Sequence, residues 1–137
     1  MPFPLGTVPG APFGFKGANY ITAAAGGGQA NAVQLSGYMN HIWIVATAGD
    51  SVKLPAAYEA LPIIIFNGGT NSLNVFPWEG DAITLLTATT PQANNLPVAL
   101  ASGAAMILVA YVTKGVTPLP GGPAGAYVGP GLWKQVV

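Results

Sequence analysis

Residues 49–83 read GDSVKLPAAYEALPIIIFNGGTNSLNVFPWEGDAI. Two apolar runs, PIIIF at 62–66 and SLNVFP at 72–77, flank Asn67-Gly68-Gly69-Thr70-Asn71. Branched and aromatic residues favour extended chain, and a Gly/Asn cluster between two such runs is the sequence form of a β-hairpin. Residues 62–77 carry no charge. The stretch reads as scaffold, which directs the search for function to surfaces and assembly.

Similar signals extend on both sides. Residues 33–35 are predicted to form a short strand, and HIWIVAT at 41–47 is a compact β-prone run. Ala48-Gly49-Asp50 turns the chain, after which 51–54 alternate polar and apolar. Residues 55–60 have room for a helical turn. Trp78-Glu79-Gly80-Asp81 forms a turn before a strand at 82–86. Residues 87–95 are polar and loop-like. Strands follow at 96–100 and 105–112, joined through Ala101-Ser102-Gly103. Many short strands with Gly, Asn, Asp and Pro between them, and no long segment of helical spacing, predict an all-β antiparallel sandwich or barrel. Trp43, Phe66 and Phe76 are expected to fill its core.

Three zones result: an extended N-terminal arm at 1–17, a β-sandwich body at 18–114 and a Pro/Gly-rich C-terminal arm at 115–137. The first arm holds four prolines among its first twelve residues and is studded with Phe3, Leu5, Val8, Phe13 and Phe15. Pro and Gly oppose a regular helix or central strand. The apolar side chains suit a segment lying on a neighbouring subunit; a disordered tail is the other reading. The last zone, GVTPLPGGPAGAYVGPGLWKQVV, has Tyr127 and Trp133 as apolar anchors.

Only 6% of the 137 residues are charged, formal net charge is zero and mean hydropathy is +0.50. An average domain is about 25% charged, and net charge keeps copies of a protein apart. Much of this surface is therefore expected to be covered by other protein, including further copies of the chain as a homodimer or homotrimer. Lys16, Lys53, Lys114 and Lys134 are scattered and there is no Arg, so nucleic acid is not an expected partner. With no Cys, disulfides and thiolate metal sites are excluded. The first fifteen residues lack the basic start and apolar core of a signal peptide. The longest apolar stretch, 98–112, contains Ser102 and Gly103 and falls short of the ~20 residues that cross a bilayer. No membrane partner is expected.

Within 49–114 the order of motifs resembles a module common among virion proteins of tailed phages. The carriers are Gly49-Asp50-Ser51-Val52-Lys53-Leu54-Pro55, Asn67-Gly68-Gly69-Thr70-Asn71, Asn74-Val75-Phe76-Pro77, Gly80-Asp81-Ala82-Ile83 and Leu100-Ala101-Ser102-Gly103. The resemblance covers about half the chain. It implies a β-sandwich or jelly-roll protein of capsids, head fibres or tails. One such module in a short chain with an apolar arm at each end looks like a capsid cement (decoration) protein. That implies a structural role on the outer surface of the virion capsid, with the major capsid protein as partner. Trp133 departs from the pattern, since members often close with an aromatic soon after the last strand.

Catalytic readings are weak. His41, Asp50 and Ser51 lack a nucleophile-elbow context, and Asp50-Ser51 suits side-chain-to-backbone bonding in a turn. Asp50, Glu59, Glu79 and Asp81 supply carboxylates for a glycosidase pair, but Glu79 and Asp81 share one turn. Gly26-Gly27-Gly28 lacks the Lys-Ser/Thr of a phosphate loop. No enzyme, catalytic residue, cofactor or metal site is expected. Phe3, Leu5, Phe13, Phe15, Trp78, Tyr127 and Trp133 are the candidate interface residues. The competing function is a tail-fibre or head-fibre receptor-binding module that recognises a host glycan or surface protein, with Trp78, Tyr38 or Tyr58 in its pocket.

Overall fold

The computed structural model describes residues 17–26, 28–57, 62–112, 115–117 and 127–137, with the side chains of residues 19, 115–117 and 127–129 left out. The chain is nearly all β. Sheet A contains, in spatial order, β1 (Gly17–Thr22), β3 (Met39–Ile44), β5 (Pro62–Asn67), β9 (Ala105–Val112), β12 (Leu132–Gln135) and β7 (Ala82–Thr84). Sheet B contains β2 (Val33–Gln34), β4 (Ser51–Lys53), β6 (Leu73–Phe76) and β8 (Val98–Leu100). A separate ribbon pairs β10 (Gly115–Thr117) with β11 (Tyr127–Gly129), and a 3-10 turn spans Gln29–Asn31.

The pairing differs from the antiparallel sandwich expected of the sequence. Consecutive strands alternate between the two sheets from β1 to β9. As far as β6, each return to a sheet lays a strand parallel to the one before it: Gly17 lies beside Met39 and Met39 beside Ile64, while Val33 lies beside Val52 and Val52 beside Val75. Parallel neighbours need a crossover connection, and here the crossover is the strand in the opposite sheet. Antiparallel pairing enters later, where β9 returns along β5, β12 along β9, and β8 along β6.

The predicted 62–76 hairpin is corrected by the same winding. β5 and β6 belong to different sheets, so residues 67–71 form a corner between layers. Asn67, fully buried, holds that corner. Its Nδ2 donates to the carbonyls of Asn71 and Leu100, both at 2.9 Å, and its Oδ1 accepts from Gly69 N at 3.0 Å. Asn71 Nδ2 donates to the carbonyls of Val45 and Ala46, tying the corner to the preceding winding. A Cβ on Gly69 would stand 2.7 Å from Val45 N, so only glycine fits there. Two further corners share one design. Gly49 and Gly80 take positive φ (91° and 85°), and the aspartate after each is buried. Asp50 Oδ2 accepts from Thr47 N; Asp81 accepts from the backbone N–H of Gly131 and Ala57.

The inner faces of both sheets share one hydrophobic core. Ile42, Ile63, Ile65, Met106, Leu108 and Trp133 come from sheet A, and Val52, Leu73, Val75 and Leu100 from sheet B. The expected C-terminal arm is corrected in its last part, because β12 is an interior strand between β9 and β7. Trp133 is completely buried there, so it is a core residue and not an interface anchor. Trp43 and Phe66 are the opposite correction. They are 52% and 40% exposed, and of the three aromatics assigned to the core only Phe76 is buried.

Candidate functional site

Strand alternation sends Ile42, Ile63 and Ile65 inward and leaves Met39, His41, Trp43, Ile64 and Phe66 on the outer face of sheet A. Cross-strand register then places His41 beside Phe66 and Ile64 beside both Met39 and Ile107. The outcome is an aromatic row across three strands. Tyr20 meets Trp43 edge-on with ring centroids 5.5 Å apart, Trp43 meets His41 at 5.3 Å, and His41 meets Phe66 at 5.0 Å. Edge-on and tilted contacts at these separations are favourable aromatic geometry.

The row begins at a backbone irregularity. β1 breaks register with β3 between Ala18 and Ile21, and Tyr20 has a φ of +60°. A left-handed non-glycine residue costs on the order of 1–3 kcal/mol and tends to persist at functional positions. Bulges re-aim side chains and blunt sheet edges. This one turns Tyr20 onto the outer face, where the residue is 74% exposed and its ring meets Trp43.

Between β3 and β5 the face is hollowed into a cleft of about 260 Å³ lined by Met39, Asn40, His41, Ile64 and Phe66. His41 Nε2 is closed off behind Gly68, whose Cβ, were there one, would lie 2.5 Å from it. The imidazole is thereby seated as part of the aromatic surface. The other half of the face differs. Lys134 Nζ donates to the carbonyls of Leu85, Leu86 and Ala88, and Thr84 Oγ1 bonds the Tyr111 hydroxyl at 3.1 Å. Polar contacts thus occupy the β12–β7 side, while no described Lys, Asp or Glu stands on the β1–β3–β5–β9 side.

Among the described residues, the catalytic constellations weighed in the sequence do not assemble. His41 stands on the outer face of sheet A, whereas Ser51 is buried in sheet B. Asp50 and Asp81 hold backbone N–H groups at corners. Glu79 pairs with Lys53 at 2.5 Å, and Glu59 lies outside the described residues.

Of the expected interface residues, Phe3, Leu5, Phe13 and Phe15 lie outside the described residues, and so does Tyr58. Tyr127 is in β11, its side chain outside the description. Trp78 is half-buried in its turn, with Lys53 Nζ 5.1 Å from the ring centroid, which fits a structural anchor. Sequence reasoning missed Tyr20, Met39, Trp43 and Phe66 as surface residues. Alternation groups 39, 41 and 43 on one face and 40 and 42 on the other, but only the structure shows that Asn40 and Ile42 are the buried pair.

The fold and site define a two-layer all-β protein with one open, apolar, aromatic face. No protein-family model, curated protein or solved structure matches this chain.

Proposed function

We propose that the protein is a structural virion protein: a capsid cement protein that binds over junctions of major capsid subunits and stabilises a phage head from outside. The observation that carries this reading is the uncharged aromatic half-face of sheet A on a chain with 6% charged residues. Such a surface gains free energy by being covered, at about 25 cal/mol per Å² of apolar area. Ordering and docking costs cut that gain at any single contact, and many copies on a closed lattice recover it through multivalency. The motif order at 49–103 supports the same reading, and its residues have physical work to do: Asn67, Asn71, Asp50 and Asp81 fasten the corners between layers. Strands that alternate between layers are the trait shared with jelly rolls; the parallel windings differ from them. The described acids, Asp50, Asp81 and Glu79, serve as backbone anchors or an ion-pair partner, which supports a non-enzymatic role. Cosedimentation with empty capsids of the parent phage tests the proposal. The protein pellets with the shells, and shells lacking it break at lower temperature. Protein that stays in the supernatant at micromolar concentration refutes it.

A second reading has one observation in its favour. Exposed Trp43 and Tyr20 are also the surface on which sugar rings stack, as a fibre-borne receptor-binding module would require. Glycan-array binding that vanishes in Trp43→Thr, with no capsid binding, supports that reading over the first.

A further inference from the structure

We infer that the aromatic half-face of sheet A is a self-association surface and that its occupant is the same face of a second copy of this chain. The inference does not rest on the cement reading, and it gives this face to a second copy, so that a dimer bound to a capsid makes its capsid contacts through other surfaces. Area is the first argument. A large aromatic side chain presents roughly 150–250 Å². Tyr20, Trp43 and Phe66 are 74%, 52% and 40% exposed, which leaves about 350 Å² of aromatic surface open. Met39, 55% exposed, and the half-buried Ile64, Ile107, Val109 and His41 extend this apolar surface around the aromatic row. The largest apolar patch of an ordinary monomer is about 300–600 Å², and stable interfaces bury about 600–1,000 Å² per partner. The aromatic row alone falls within the first range, and the apolar side chains around it carry the face toward the second.

Self-complementarity is the second argument. In a two-fold pair a residue near the axis meets its own copy, so a charge there faces a like charge. The described residues of this half-face carry none, although Lys134 stands on the other half of the same sheet, spent on three carbonyls. The geometry of the edge is the third. Among the described residues β1 is an end strand of sheet A, and the bulge at Tyr20 interrupts its ladder, which disfavours growth by strand addition at that edge. Two such sheets stack about 10 Å apart with interdigitated side chains, and the cleft between Met39 and Phe66 receives a partner side chain.

Analytical ultracentrifugation of the full chain at micromolar concentration tests this, together with Trp43→Lys, Met39→Lys and the loop control Asn94→Lys. The expected result is a dimer of the 13.8 kDa chain. Trp43→Lys should weaken it by about a hundredfold or more, since it places like charges in the contact and removes a central aromatic. Met39→Lys, at a site more than half exposed in the single chain, provides the same readout without a folding risk. Asn94→Lys should leave the dimer unchanged. A monomer at these concentrations overturns the inference, whether or not the protein binds capsids. A trimer overturns it too, because a closed face-to-face pair has two members. So does a dimer indifferent to both face variants.

Discussion

Asn67→Ala is the most informative single change in the scaffold. The substitution removes two donated bonds of 2.9 Å and one accepted bond of 3.0 Å at a completely buried position. The carbonyls of Asn71 and Leu100 and the N–H of Gly69 lose their side-chain partner at once. At about 1 kcal/mol for each bond, the cost is about 3 kcal/mol. For a domain of this size that corresponds to a fall in Tm of roughly 10–15 °C. Part of the loss could come from the cavity instead of the bonds, and Asn67→Asp separates the two. It keeps the shape and the acceptor but has no N–H to give, and it sets a carboxylate against two carbonyl oxygens. It should therefore cost at least as much as alanine. Urea unfolding followed by tryptophan fluorescence gives both values, with exposed Asn94→Ala as a control within about 0.5 kcal/mol of the parent. If Asn67→Asp retains the parental midpoint, or Asn67→Ala shifts it by less than the equivalent of about 1 kcal/mol, the corner is not held by this amide and the account of the 67–71 motif is wrong.

Further outcomes follow from the same geometry. Trp133→Ala should destabilise by about 3–5 kcal/mol, because it empties a fully buried site between β9 and β7; calorimetry measures it. Gly69→Ala should unfold at markedly lower denaturant, since its Cβ would stand 2.8 Å from Val45 Cβ. Tyr20→Gly relieves the positive φ at the bulge, so folding stability should hold or rise by up to about 1 kcal/mol while sedimentation shows weaker self-association. Glu79→Gln removes the charge facing the largely buried Lys53 ammonium, so it should cost more than an exposed ion pair, about 1–3 kcal/mol, read by urea unfolding.

The all-β class, most strand positions and the turns at Gly49-Asp50 and Gly80-Asp81 were legible in the sequence, because each follows from local chemistry. β-branched runs favour extended backbone, and glycine admits the positive φ that a sharp corner requires. The low charge was equally legible and directed attention to covered surfaces. Partner choice between strands was decided by tertiary structure. A Gly/Asn cluster bends the chain whether the next strand pairs with the last one or crosses to the other layer, and at 67–71 the bonds from Asn67 to Leu100 and from Asn71 to Val45, both far away in sequence, fix the crossing. The assignment of tryptophans was decided there too. In HIWIVAT every second residue shares a face, but alternation does not say which face is inward. Opposite register put Trp43 outside, and the late strand β12 carried Trp133 into the core from a segment whose prolines and glycines read as an arm. Local sequence sets the conformation of each piece, whereas burial depends on what the rest of the chain brings against it.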